Sequence, residues 1–185
     1  MRRSILPALA VLATVSLATA TVRAADDAQT VSGVWTQHKL QFNYIGFTST
    51  YSCDGLQDKL QLLLQTAGAR KQGMKIATYG CPGGFGRPSK FASANVTFYT
   101  LEPAADSSAN PAAQTVAAQW KTVELAPNRP FDLMEGDCEL IEQFQQHFLP
   151  LFAARDVKSA TRCIPYQQSG GPFSLKFQSL VPAKE

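Results

Sequence analysis

Val96-Thr97-Phe98-Tyr99-Thr100-Leu101-Glu102-Pro103-Ala104 and Leu175-Lys176-Phe177-Gln178-Ser179-Leu180-Val181-Pro182-Ala183 read as two versions of one strand. Phe98 matches Phe177, Leu101 matches Leu180, and both runs close on Pro-Ala. Upstream of each stretch the same landmarks recur in the same order. Trp35 precedes Cys53 by 18 residues, and Trp120 precedes Cys138 by the same 18. After each cysteine an apolar run with helical spacing leads to Ala-Arg, at Ala69-Arg70 and at Ala154-Arg155. A short strand-like run then reaches a cysteine close to proline, Cys81-Pro82 in one copy and Cys163-Ile164-Pro165 in the other. Self-similarity on this scale sets the architecture before any single residue is interpreted. It predicts an α+β fold made by tandem duplication of a β-α-β-β unit.

The local signals agree. From Trp35 the chain alternates, placing Thr36, His38, Leu40, Phe42 and Tyr44 on one face of a strand. Ser52-Cys53-Asp54-Gly55 offers a capping side chain and a first-turn acid for a helix. Leu56, Leu60, Leu63, Leu64 and Ala67 fall on one arc with Cys53, and Gly68 and Gly73 bracket the exit. Residues 74–79 and 96–101 read as strands, separated by a Gly/Pro/Ser-rich loop over 81–95. In the second copy, 115–125 reads as a strand. A helix starts at Asp137 or Cys138, with Ile141, Phe144, Phe148, Leu151 and Phe152 as its buried stripe. Pro150, opposite Gln65 of the first copy, ends or kinks that helix early. Strands near 157–163 and 173–180 complete the unit. Helices on one face of a mainly antiparallel sheet, one per unit, is the economical packing. Whether six strands make one sheet or two is left open by the pattern.

Met1-Arg2-Arg3, the apolar run from Ile5 to Ala20 and Val22-Arg23-Ala24 have the form of a secretory signal peptide spanning 1–24. An uncleaved anchor is the alternative. The expected organisation is then a disordered stretch over 25–33, a first unit over 34–104, a linker over 105–114 and a second unit over 115–185. Removing the leader takes Arg2, Arg3 and Arg23 from the 17 basic residues, leaving 14 against 14 acidic residues. The net charge of +3 falls to zero, so nothing in the charge supports binding to nucleic acid or to an anionic membrane. All four cysteines lie in the exported part, and an even count in an oxidising compartment predicts disulfides. Each copy owns one helix-start and one strand-end cysteine, which selects Cys53–Cys81 and Cys138–Cys163. A zinc site is the competing use, but zinc ligands normally come in close Cys-x2–4-Cys pairs and the chain has none.

Catalytic signals are thin. The two histidines, His38 and His147, sit on a strand face and at the edge of a helix stripe. The chain contains no Gly-x-Ser-x-Gly, His-Glu-x-x-His, phosphate-loop or dinucleotide fingerprint, and no Cys-x-x-Cys. No catalytic residue, metal ligand or cofactor is therefore assigned. Arg70 and Arg155 recur at equivalent places. Either they face a helix C-terminal dipole, or they form a repeat-related pair of anion-binding arginines. The sharpest difference between the copies precedes the helices. Residues 43–52 are aromatic and hydroxyl-rich, whereas 128–137 are acidic. Tyr44, Phe47 and Tyr51, with Arg70, are the expected ligand- or partner-binding residues; burial of those rings against the sheet is the competing expectation.

The stretch Tyr51-Ser52-Cys53-Asp54-Gly55-Leu56, the Ala-Arg motif and the later Cys138-Glu139-Leu140 resemble uncharacterised exported proteins of proteobacteria. That resemblance implies export and no activity. The expected function is a non-catalytic periplasmic or secreted binding or interaction module, its partner a protein or small molecule of the cell envelope. The alternatives are a small secreted hydrolase-like enzyme using His38 and the Tyr/Ser/Asp cluster, or a secreted inhibitor presenting the 81–95 loop.

Overall fold

The structure, a computed structural model, describes residues 30–47, 49–81, 87–105, 115–164 and 172–183. The leader expected over 1–24, the linker beyond residue 105 and the centre of the 81–95 loop (82–86) lie outside the described residues. Among those described, no helix is long and apolar enough to cross a membrane.

The elements run β1 (Val31–Ile45), α1 (Cys53–Thr66), β2 (Lys75–Tyr79), β3 (Phe91–Pro103), β4 (Thr115–Leu125), α2 (Cys138–His147), β5 (Ala154–Ser159) and β6 (Leu175–Pro182). Ser52 caps α1 by accepting the Gly55 N–H at 3.0 Å. The helix closes in a Schellman arrangement: Gly68 N–H reaches the Gln65 carbonyl, Ala69 N–H reaches the Leu64 carbonyl, and Gly68 takes a positive φ of 105°. α2 stops at His147, and a 3-10 turn over Leu149–Leu151 carries Pro150 where an α-helix cannot continue.

All six strands form one antiparallel sheet in the order β2-β3-β1-β4-β6-β5. Outward from its centre it reads β1-β3-β2 on one side and β4-β6-β5 on the other, so both halves place their elements alike. The join is short: Val31–Val34 of β1 pairs with Thr115–Ala118 of β4. β1 therefore starts inside the stretch expected to be disordered, because these residues bond to the other half. The sheet curls enough that β3 and β6 touch despite the two strands between them. β3 begins earlier than expected, at Phe91, because β1 runs to Ile45 and pairs with it there. β5 starts at Ala154, three residues early, and carries a bulge between Arg155 and Lys158.

Both disulfides have the expected pairing, Cys53–Cys81 and Cys138–Cys163. Strand alternation divides the apolar side chains between the two faces. One face and the helices bury a single core that joins the halves, including Phe42, Phe98, Leu60, Leu64, Phe144, Phe148 and Phe177. Phe148 packs on Phe42, Phe98 and Phe144 at ring-centroid distances of 5.0, 6.1 and 5.5 Å. The opposite face carries a smaller cluster, Leu101, Ala118 and Leu180, flanked by Trp35 and Trp120.

Candidate functional site

The four residues expected to bind a ligand divide between two places. Residues 43–52 and 128–137, the most divergent segments of the two halves, pack against each other. Tyr44 is 1% exposed and Tyr51 8%, with the rings edge-to-face at 4.9 Å. The Tyr51 hydroxyl donates to Asp137 Oδ1 at 2.5 Å. Lys59 of α1 and the Met134 N–H both donate to Asp137 Oδ2 at 2.7 Å. Glu139, in the first turn of α2, accepts the N–H groups of Phe47 and Ser49 at 3.1 Å each, and the Tyr44 hydroxyl lies 3.4 Å from it. Ser49 Oγ donates to the Gly136 carbonyl. Burial foremost, then the neighbouring carboxylates, push both phenols well above the ordinary tyrosine range. Donors of the first half thus meet acceptors of the second, and the cluster is an internal clasp. Tyr44 and Tyr51 offer no ring face to a ligand; Phe47, 50% exposed, is the one of the three at the surface.

His38 stands apart from this clasp. Its Nε2 lies 2.8 Å from Thr100 Oγ1, which itself donates to the Leu151 carbonyl at 2.9 Å. Its ring sits 5.3 Å from Phe98. Burial lowers its pKa, partly opposed by Glu102. These contacts support a structural histidine. Among the described residues no group of His, Cys, Asp and Glu side chains could hold a metal ion.

Arg70 occupies the second place. Four residues beyond α1, its backbone N–H bonds to the Tyr99 carbonyl at 3.0 Å. This carries its side chain onto the Trp35 face of the sheet, where the guanidinium lies 5.1 Å from the Trp35 ring and 4.5 Å from Tyr99. Arg155, on β5, lies 4.0 Å over Trp120 in the same way. Neither arginine acts on a helix end; each stacks on the tryptophan of its own half, a cation–π contact of about 0.5–2 kcal/mol. The recurrence of Trp and Arg 35 residues apart in both halves was the signal for this pairing.

Beside Arg70 opens a groove of about 780 Å³. Its walls come from the exit of α1 (Gln65, Gly68, Arg70, Lys71, Gln72), from Trp35, from Gln119 and Lys121 of β4, and from the end of β6 at Val181. Three cations line it and, among the described residues, no carboxylate does. Among the described residues the one hydrogen bond of the Arg70 guanidinium is Nε to the Gln72 carbonyl at 3.2 Å, which leaves its terminal Nη edge for an oxyanion. Gly68 shapes the wall: a Cβ there would lie 2.8 Å from Val181 Cγ1, at a φ that side chains disfavour. Gly68→Ala is accordingly expected to lower unfolding free energy by about 1–3 kcal/mol, measurable by urea denaturation. Lys71, Gln119 and Lys121 carry no sequence signal of their own, since polar side chains at a helix exit and on alternating strand positions ordinarily face water.

Comparison of the chain with protein-family models, curated proteins and solved structures found no match.

Proposed function

We propose that this protein is a non-catalytic, exported binding module built from two copies of a β-α-β-β unit, and that the groove beside Arg70 is its ligand site. The observation that carries the reading is the groove's charge. Arg70, Lys71 and Lys121 converge on one concavity in a mature chain whose expected net charge is zero. Like charges held together without a lining acid favour an anionic occupant. The duplication is supported by the shared element order, the matching disulfides and the two Trp–Arg stacks. Export is supported by the leader-like N-terminus and by disulfides, which persist in oxidising compartments. A cell-envelope or extracellular location follows from this reading.

The test is a nuclear magnetic resonance titration of the mature chain with sodium sulfate at low ionic strength. Shifts should concentrate on the Trp35 indole N–H, Arg70 Nε–H and the backbone from Gly68 to Gln72. Added sodium chloride should weaken them, as screening requires. Shifts spread evenly over surface lysines, or unchanged in Lys121→Thr, would overturn the groove as the site.

A further inference from the structure

We infer that the ligand of this groove is an acidic saccharide, an inference that rests on the groove being the ligand site. Each groove residue has a counterpart in the other half, set by the shared Trp, Cys and Arg positions. Trp35 matches Trp120 and Arg70 matches Arg155, and each pair makes the same stack. Those residues belong to what the fold needs twice. The remaining polar residues of the groove have no such counterpart. Lys71 matches Asp156 and Lys121 matches Thr36. The three glutamines, Gln65, Gln72 and Gln119, match Pro150, Val157 and Val34. Two lysines and three primary amides are thus present on one side and absent on the other, in units of the same element order. Folding does not require them at these positions.

Their chemistry specifies the ligand more narrowly than charge alone. A carboxamide donates through its nitrogen and accepts through its oxygen, which suits hydroxyl groups that also do both. A bare inorganic anion offers acceptors only and makes no use of the amide oxygens. Three amides beside three cations therefore fit a molecule rich in hydroxyls that also carries an acid group. The Arg70 fork and the lysines would take the carboxylate or sulfate, and the glutamines the ring hydroxyls. The groove's volume lies in the range of small-molecule sites, enough for one or two sugar rings.

Calorimetry and amide-detected titrations with digalacturonate, the corresponding neutral galactose disaccharide and sodium sulfate test this. Digalacturonate should bind at least tenfold more tightly than either of the others, with shifts at the Gln65, Gln72 and Gln119 side-chain amides. Gln72→Val with Gln119→Val, which copies the other half, should abolish that preference while leaving sulfate binding in place. Lys71→Asp with Lys121→Thr should weaken both acidic probes at least tenfold. Unchanged melting temperatures would establish that each variant is folded. Equal affinity for sulfate and digalacturonate, or for the acidic and neutral sugars, would overturn the saccharide assignment and leave the groove standing. Absence of groove shifts with all three probes would instead overturn the site itself.

Discussion

Tyr44→Ala and Tyr51→Ala should each lower the unfolding free energy by about 3–5 kcal/mol, while Phe47→Ala should cost about 1 kcal/mol or less. The contrast follows from placement. Tyr44 and Tyr51 are buried against each other and against the start of α2, whereas Phe47 keeps half its surface in water. Polar groups enlarge the effect. Asp137, itself buried, receives Tyr51, Lys59 and the Met134 backbone, so Asp137→Ala removes both acceptor oxygens, strands the Tyr51 hydroxyl and the Met134 N–H, and leaves the Lys59 ammonium only the Asp132 carbonyl. A cost of about 3 kcal/mol is expected, since breaking a buried, hydrogen-bonded charge leaves its partners uncompensated. Tyr51→Phe, which keeps the ring, should cost about 1–3 kcal/mol. The clasp also has a pH signature. Both phenols titrate higher in the folded chain than in the unfolded one. Their contribution is complete below the unfolded tyrosine pKa of about 10 and is lost as pH rises beyond it. Urea titrations between pH 8 and 11 should show the wild type losing stability faster than Tyr51→Phe. Tyr44→Ala and Tyr51→Ala unfolding no more easily than Phe47→Ala would reverse the assignment of these rings to the clasp.

How much of this was legible depends on how local each signal was. Ser52, the Leu56–Leu64 arc and the Gly68 exit defined α1 because every one acts within a few residues of the others. The disulfide pairing was legible because the recurring landmarks assign each half of the chain its own two cysteines. The sheet's continuity was not. It hangs on Val31–Val34 meeting Thr115–Ala118, four-residue segments that mix valine with small residues and are too short to carry much amphipathic pattern by themselves. The clasp was illegible for the same reason: Glu139 lies 92 residues from Phe47 and 90 from Ser49. Aromatic rings near a helix start read alike whether they face a ligand or a carboxylate folded back from the other half. The groove divides the same way. Arg70 was visible as a recurring residue, but Lys121 lies on β4 in the other half of the chain and joins it only in the folded sheet.

Removing one disulfide should destabilise the whole chain, and removing both should leave it largely unfolded. The bonded cysteines are 28 and 25 residues apart. In the chain-entropy account each crosslink of that span contributes about 3.5 kcal/mol by restricting the unfolded chain. The two loops neither overlap nor share a partner, so their contributions should nearly add, to about 7 kcal/mol. That is comparable with the roughly 5–15 kcal/mol available to a domain of this kind. The mode of failure is as informative as its size. Two units folding independently would give Cys53→Ala/Cys81→Ala a split transition, with the second half melting as before. The structure argues against that outcome. Phe148 of the second half packs on Phe42 and Phe98 of the first, and Asp137 holds Tyr51 and Lys59 across the join. Neither half retains a complete core once its neighbour opens, so the variant should show one cooperative transition shifted to lower denaturant. Chemical denaturation followed by tryptophan fluorescence and far-ultraviolet circular dichroism reads this directly, because the first follows the packing around Trp35 and Trp120 and the second the helices and sheet of both halves. Coincident curves at a lowered midpoint are expected; two separated steps would mean that the shared core couples the halves far less than their packing implies.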